Sequence, residues 1–314
     1  MVASTLGSGG GELRRNLVNG KLTIIAPGRS TRPTDLLGQG SAGASGPCPF
    51  CAGNEALTPP EVDAVREPGR VPDGPGWRVR VVPNKYPALL GMHEVIVHSP
   101  DHVAELEDLG DEGLLEVLDV WRRRIAAQLE SGAVAATLIV NHGAGAGASL
   151  AHPHAQLFAT PVVPPLLLDE VREFDRHRNR YGGCVLCAEM AAAGGRLVFG
   201  GEVAAWVPAA TRFACELWLA PAEHQPDIRE ADLRPLAPAL RRALAAVVAA
   251  TGGAPLNLWL HTAPTEPRSG FHWHLELAPR VSGIAGFELA TDMALVSVDP
   301  EVAAAALREA LSPA

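Results

Sequence analysis

Near the middle of the chain stands the segment Asn141-His-Gly-Ala-Gly-Ala-Gly147-Ala-Ser149-Leu-Ala-His152-Pro-His154-Ala-Gln156. The apolar residues before it (136–140) and directly after it (157–158) are typical of β-strands. Alternate residues of an extended chain point to one face, so we expect His152, His154 and Gln156 to share a side of the second strand. A glycine-rich turn can bring backbone N–H groups close to an anion. The segment therefore predicts a phosphate site with an imidazole directed at it.

On its own, this segment also has an ordinary interpretation. An isolated His-x-His is usually a surface pair or a satisfied interior pair, and a Gly/Ala run is often a plain flexible loop. The same holds for Arg29 and Arg32 in the turn before Pro33, which taken alone are solvated surface residues. The rest of the chain has to decide between the two interpretations.

Length and composition exclude several classes of protein. The 314 residues suit two domains of ordinary size, and 47% hydrophobic with 19% charged residues is a globular composition. A net charge of −9 without a Lys/Arg cluster argues against a nucleic-acid or membrane-surface partner. Residues 1–11 lack the basic start and apolar core of a signal peptide, and no apolar run approaches the roughly 20 residues of a membrane helix. We therefore expect a cytoplasmic protein.

The strongest internal evidence is a repeat of motifs in one order. Each half carries a Cys-x-x-Cys pair, a strand followed by a histidine, a helix, a second strand and a His-x-His. The paired helices are predicted over 111–129 and 231–250. Such an order is improbable by chance, so we infer a duplicated unit of the α+β class, each copy an antiparallel sheet with a packed helix. The proline-rich residues 160–168 are the predicted linker, which divides the chain into domains at 1–165 and 166–314.

The repeat gives each half four ligands of the kind that tetrahedral zinc prefers. Cysteine pairs outside a secreted disulfide framework indicate a metal more than a disulfide. The first predicted set is Cys48, Cys51, His102 and His152, and the second is Cys184, Cys187, His224 and His272. Because Cys₂His₂ is a closed set, we interpret both metals as structural. The alternative, that one half has lost its metal and keeps free thiols, applies mainly to the second half.

If His152 holds zinc, His154 is left free two residues further on. A neutral imidazole with one nitrogen bonded to a backbone carbonyl presents the other as a nucleophile, here toward phosphorus. Gln156 and Ser149 are predicted to donate to phosphoryl oxygens, and Asn141 to orient the nucleotide or phosphate. The remaining histidines are interpreted as surface or packing residues: His93, His98, His142 and His177.

The segment Asn141 to Gln156 resembles the active-site signature of galactose-1-phosphate uridylyltransferases, the transferase branch of the histidine triad superfamily. The tandem halves resemble that family as well, so the resemblance covers nearly the whole chain. Its other parts are the arginines before Pro33, Cys48 to Glu55, Asn84 before Tyr86-Pro87, Ser99 to His102, and Gly286-Phe287-Glu288.

The resemblance implies two tandem histidine-triad-like domains, a homodimer and a ping-pong nucleotidyl transfer. His154 would attack the α-phosphate of a nucleotide sugar, release a sugar 1-phosphate and pass the nucleotidyl group to a second phosphate, with Gln156 where the triad hydrolases carry a third histidine. The implied contacts to nucleotide or phosphate are Arg29, Arg32, Asn84, Asn141, Gly147, Ser149 and Glu288.

The sequence departs from the uridylyltransferase pattern in two places. Many of those enzymes bind their second metal through one Glu and three His, and the matching alternative ligands here are Glu170, His261, His272 and His274. The cysteine set instead resembles the plant ADP-glucose phosphorylase branch, and thiolates prefer zinc, so we favour it. Second, no glutamine follows Glu288, where the family has one that holds the hexose phosphate. The acceptor, sugar phosphate or inorganic phosphate, therefore stays open.

The leading functional hypothesis is a UDP-glucose:hexose-1-phosphate uridylyltransferase type of enzyme. An ADP-glucose or dinucleoside polyphosphate phosphorylase is the enzyme alternative, with the same intermediate. The alternative from another class is a zinc-stabilised nucleotide-binding module, in which His154 would be dispensable. A zinc-dependent hydrolase is disfavoured because neither closed ligand set leaves an open coordination position.

Overall fold

The computed structural model describes residues 4–5, 11–29, 47–102, 105–266 and 270–312. Within them the chain forms fourteen strands and six helices, joined by short 3₁₀ turns. The strands are β1 (Ser4–Thr5), β2 (Glu12–Arg15), β3 (Leu22–Ile25), β4 (Asp63–Arg66), β5 (Trp77–Pro83), β6 (His93–Val97), β7 (Ala135–His142), β8 (His154–Thr160), β9 (Leu197–Phe199), β10 (Val203–Trp206), β11 (Leu217–Pro221), β12 (Leu256–His261), β13 (His274–Pro279) and β14 (Ala294–Val296). The helices are α1 (Gly110–Glu130), α2 (Pro165–Tyr181), α3 (Val185–Ala191), α4 (Leu236–Thr251), α5 (Gly286–Thr291) and α6 (Pro300–Ala310).

Ten of these strands form one sheet in the order β4-β5-β6-β8-β7-β12-β13-β11-β10-β9. Every neighbouring pair in it is antiparallel. From the centre of the sheet outward, the first half has the strand order β7-β8-β6-β5-β4 and the second half has β12-β13-β11-β10-β9. Strands that correspond in the repeat therefore occupy corresponding positions. The duplication inferred from the motifs is therefore present in the topology, and the α+β class is confirmed. The two copies share one sheet because β7 pairs with β12.

One face of the sheet is covered by α1 and α4, whose apolar stripes bury the main core. In α1, Leu114, Leu118, Trp121 and Ile125 recur at helical spacing and are fully buried. Burial of one such side chain contributes roughly 1.5–3 kcal/mol. In β8, Ala155, Leu157 and Ala159 point into this core, so the alternate residues starting at His154 point to the opposite face.

The opposite face differs between the two halves. Over the second half it is covered by α2 and α3, which pack with Trp206, Trp218 and Phe271 in a separate apolar cluster. A small sheet, β1-β2-β3-β14, brings strands from both ends of the chain together, and its β3–β14 pair is parallel.

Two predicted boundaries shift in the structure. The linker 160–168 is partly helical because α2 begins at Pro165, and proline is well suited to the first position of a helix, where its missing N–H costs nothing. The helix predicted over 231–250 begins only at Leu236, since Pro235 disfavours helical backbone in the residue before it. The domain boundary at 165/166 stays a prediction. Of the helices in the described ranges, none has the length and apolar character needed to cross a bilayer.

Candidate active site and metal centres

His154 opens β8 with both ring nitrogens in defined roles. Its Nδ1 lies 2.7 Å from the His152 carbonyl oxygen. A carbonyl only accepts, so Nδ1 carries the proton and Nε2 keeps its lone pair. Burial lowers the pKa of His154, which favours the neutral ring. Phe50, between the first pair of cysteines, packs against the imidazole with ring centroids 5.2 Å apart. The result is a sheltered, neutral nitrogen with nucleophilic character.

The first predicted metal set is assembled, with one ligand atom of each residue within 4.8 Å of the others: Cys48, Cys51, His102 and His152. His152 Nδ1 lies 3.7 Å from both sulfurs, while its Nε2 donates to the Ser99 carbonyl at 2.8 Å. That donation fixes the tautomer and leaves the Nδ1 lone pair directed at the thiols. Two soft sulfurs and two imidazoles at this spacing can hold a metal ion, consistent with zinc.

The second half assembles its set in the same way: Cys184, Cys187, His224 and His272. His272 Nδ1 lies 3.7 Å from the Cys184 sulfur and 3.4 Å from the Cys187 sulfur. The rings of His224 and His272 meet at 72° with centroids 5.0 Å apart, as those of His102 and His152 meet at 86° and 5.2 Å. Both cysteine clusters therefore share the arrangement of sulfurs and rings, but within the described residues His272 Nε2 lacks the carbonyl partner that His152 Nε2 has.

The alternative ligand set for the second metal is not assembled as the sequence suggested. His272 belongs to the cysteine cluster, whereas Glu170, His261 and His274 lie together with Glu276 in a separate, fully buried group. His274 Nδ1 lies 3.1 Å from the His272 carbonyl, and its Nε2 is 3.4 Å from Glu276 Oε1. Glu276 takes the place of His272 because it lies two residues after His274 on β13 and so shares its face of the sheet.

The glycine-rich loop is fixed from the second half of the chain. Asn257 on β12 donates to Asn141 Oδ1 and to the Ala146 carbonyl, both at 2.8 Å. Gly147 has a left-handed backbone (φ 88°), and a Cβ there would lie 4.0 Å from Asn141 Nδ2. Because the Asn141 oxygen is occupied, its amide N–H groups face the loop. Asn141 and the loop thus form one preorganised donor group.

Gln156 lies on the same face as His154, two residues along β8. Its Oε1 is 3.0 Å from His93 Nε2, and the same nitrogen is 3.0 Å from the amide nitrogen of Asn84. Asn84, predicted as a nucleotide or phosphate contact, therefore lies beside the same ring nitrogen as Gln156. A cleft beside this region is lined by His98, Asn141, His142, His152 and His154, among others.

Three predicted contacts have no hydrogen bond to this group within the described residues: Arg29, Ser149 and Glu288. Arg29 is exposed at the end of a 3₁₀ turn, and Ser149 is exposed in the loop. Glu288 accepts a hydrogen bond from the Ala285 N–H and so closes the first turn of α5. Within the described ranges no hydrogen bond links any of these three side chains to His154 or Gln156. Arg32 lies outside the described residues.

Three residues of this region are not predicted from the sequence. Glu276 follows His274 by two positions, as Gln156 follows His154, so the repeat itself could have revealed it. His93 was interpreted as an ordinary histidine, and no motif marks it. Asn257 could not be found before the pairing of β7 with β12 was known.

Residues 85–164 match the family described as galactose-1-phosphate uridyl transferase, N-terminal domain. ADP-glucose phosphorylase of Arabidopsis thaliana is 30% identical over 334 residues, which span 95% of this chain and 92% of that protein. Galactose-1-phosphate uridylyltransferase of Streptomyces lividans is 32% identical over 162 residues, 49% of this chain and 46% of that protein.

Among solved structures, the crystal structure of the Arabidopsis thaliana ADP-glucose phosphorylase with bound ADP-glucose superposes with a TM-score of 0.84 at 29% identity. The match covers 95% of this chain and 98% of that one. The likeness in sequence and fold thus extends over nearly the full length. The chain belongs to the galactose-1-phosphate uridylyltransferase family and is a nucleotidyltransferase or phosphorylase of that family.

Proposed function

We propose that the protein transfers a nucleoside monophosphate from a nucleotide sugar to a phosphate acceptor through a covalent nucleotidyl group on His154. The observation that carries the proposal is the 2.7 Å hydrogen bond from His154 Nδ1–H to the His152 carbonyl. It leaves the buried Nε2 with its lone pair and fixes the ring relative to the first cysteine cluster. A surface His-x-His pair would need neither feature.

The transfer takes place in two steps. The Nε2 lone pair attacks the α-phosphorus of the donor, an N–P bond forms, and the P–O bond to the sugar 1-phosphate breaks. An oxygen of the acceptor phosphate then attacks the same phosphorus, and the N–P bond breaks to return the imidazole. Asn141 and Gln156 donate amide hydrogens to the equatorial oxygens as charge develops there. Gln156 cannot supply a proton, which suits leaving groups that are already stable phosphates.

The two cysteine clusters are assigned to zinc. In the first, the Nδ1 lone pair of His152 points at two sulfurs, the arrangement that a tetrahedral metal requires. Bound zinc would supply rigidity rather than reaction chemistry, because all four ligand positions are taken by protein. His152 would be held through its ring, and its carbonyl in turn orients His154.

ADP-glucose is the first donor that we assign, with inorganic phosphate as the acceptor. The likeness to the Arabidopsis thaliana ADP-glucose phosphorylase extends over nearly the whole chain. The second Cys₂His₂ set and the lack of a glutamine after Glu288 also favour that branch over the uridylyltransferases. The reaction would then yield glucose 1-phosphate and ADP.

The UDP-glucose:hexose-1-phosphate uridylyltransferase activity is the second candidate. It is favoured by the family match over residues 85–164 and by the Streptomyces lividans relative, which matches about half of this chain. Both candidates use the same intermediate and differ in base and acceptor. The exposed Arg29, Ser149 and Glu288, together with Arg32, are proposed to contact the ligand once it is bound. We also propose a cytoplasmic homodimer of two-domain chains, divided near residue 165, with no nucleic-acid or membrane partner.

The test is intact-protein mass spectrometry after brief incubation with ADP-glucose or UDP-glucose, without an acceptor. We expect an adduct whose mass identifies the nucleoside monophosphate, and its removal when inorganic phosphate is added. A folded, zinc-loaded protein that forms no adduct with any nucleotide sugar would contradict the transferase and favour the binding module.

A further inference from the structure

His93 is a buried histidine that the reaction described above does not use. It opens β6, is 6% exposed, and stacks on Phe158 with ring centroids 3.9 Å apart. This stacking fixes the plane of the ring. Both of its nitrogens have partners, and those partners determine where its single proton lies.

The backbone N–H of Ala88 lies 3.2 Å from His93 Nδ1. A backbone N–H can only donate, so Nδ1 must be the bare, accepting nitrogen. In a neutral imidazole the proton is then on Nε2. Burial lowers the pKa of His93, although its contact with Gln156 opposes this, and the neutral ring is therefore the form at pH 7.

The proton on Nε2 determines the orientation of the Gln156 amide, whereas a backbone N–H determines that of Asn84. Gln156 Oε1 lies 3.0 Å away and accepts it, so the Gln156 NH₂ group is turned away from His93. The Asn84 Oδ1 already accepts from the Tyr86 N–H at 2.8 Å, which places the Asn84 NH₂ group beside the same nitrogen. A protonated nitrogen cannot accept from it. Both amides therefore have occupied oxygens and N–H groups that remain available to an outside acceptor.

We propose that His93 is a positioning residue that fixes the orientation of the Gln156 amide, so that its NH₂ group is presented as a donor to the phosphoryl oxygens of the nucleotide. The identity of that ligand rests on the proposed function, whereas the orientation of the amide does not. Without the Nε2–H donor, Gln156 is free to rotate and present its oxygen, which would repel a phosphoryl group.

The first test needs no activity. Protein labelled with ¹⁵N-histidine is examined by NMR at pH 7, and the His93 signals are assigned by their loss in His93→Gln. We expect a neutral ring with its proton on Nε2. A proton on Nδ1, or a fully protonated ring, would overturn the proposal whatever reaction the protein catalyses.

The second test measures the single-turnover rate of adduct formation with ADP-glucose. His93→Gln keeps a donor near the Nε2 position and should react within about threefold of wild type. His93→Leu should react about tenfold more slowly. This loss is smaller than the roughly 10²–10³-fold loss expected when a donor to the transition state is removed outright. In a Gln156→Ala background the same His93→Leu change should cost less than about threefold.

Melting temperature and zinc content of each variant separate misfolding from misorientation. Equal losses from His93→Leu in both backgrounds would mean a general packing role and would overturn the proposal. So would a folded His93→Leu protein with wild-type rates. If wild type itself forms no adduct with any donor, the proposed function fails, and the NMR result still decides the role of His93.

Discussion

His154 and His274 occupy corresponding places in the two copies of the fold, yet their surroundings differ. Each ring donates from Nδ1 to the carbonyl of the residue two positions earlier, at 2.7 Å and 3.1 Å. In the first half the next residue on the same face of the strand is Gln156, whose side chain is a neutral donor. In the second half it is Glu276, and α2 adds Glu170, so that the Nε2 of His274 is 3.4 Å and 4.0 Å from two carboxylates.

The charges around the two rings have opposite consequences. Burial lowers the pKa of His154 and leaves a neutral nucleophile. Burial also lowers the pKa of His274, but the nearby carboxylates of Glu276 and Glu170 outweigh it and raise that pKa above its ordinary value. A ring held by two carboxylates is occupied and shielded from substrate. The duplicated scaffold thus supplies the orientation of the imidazole, while the neighbouring residues decide whether it can react.

Replacing the two histidines should produce the largest difference. We expect His154→Ala to lower the turnover rate by about 10⁴-fold or more, as expected on losing a covalent nucleophile. His274→Gln should destabilise the fold but leave the turnover of folded protein close to wild type. Steady-state assays at matched zinc content and thermal melting measure both. Equal losses of turnover in the two folded variants would contradict the distinction between the halves.

The two cysteine clusters should differ in their effect on activity. Cys48→Ser and Cys184→Ser should each lose one of two bound zinc equivalents by elemental analysis. Only Cys48→Ser should also slow adduct formation, by about 10- to 100-fold. His152 belongs to the first cluster, and its carbonyl orients His154. A Cys184→Ser protein that is folded and equally slow would show that both clusters support the reaction.

The contact between the halves at the glycine-rich loop should have a moderate effect. Asn257→Asp removes the donor to Asn141 and to the Ala146 carbonyl, and should lower kcat/KM by about tenfold. Thr265→Val is the matched control, because it removes another bond between the halves, to the Ala133 carbonyl, away from the loop. A similar loss in the control would mean that general docking of the halves, not loop geometry, limits the rate.

The smallest effect is expected from His142, beside the same loop. Its hydrogen bond with Glu105 raises the pKa of His142. A raised pKa stabilises the folded state below the unfolded pKa of about 6.5, and that contribution is lost as pH rises through the folded pKa. Glu105→Gln should therefore lower the free energy of unfolding at pH 6 by about 0.5 kcal/mol, because the pair is partly exposed, and by nothing measurable at pH 9. Denaturant titration at both values measures it, and an equal loss at pH 9 would exclude this ion pair as the cause.

The sequence was sufficient for the features that repeat along the chain. The order of motifs predicted the duplicated α+β topology, and the spacing of Cys48 and His152 and of their counterparts pointed to ligand sets that the structure places together. It was insufficient where separate elements meet. The position of Glu170 beside His274 depends on how α2 packs on the sheet. The hydrogen bond from Asn257 to Asn141 depends on the pairing of β7 with β12. Neither the packing nor the pairing has a local sequence signature.

The central claim is that only one of the two corresponding histidines carries the nucleotidyl group. The most direct measurement is peptide mapping by mass spectrometry of protein incubated briefly with ADP-glucose and digested under conditions that preserve phosphoramidates. We predict the adduct on the peptide that contains His154 and an unmodified His274. An adduct on His274, or on both histidines in equal amount, would contradict the assignment of His154 as the single nucleophile.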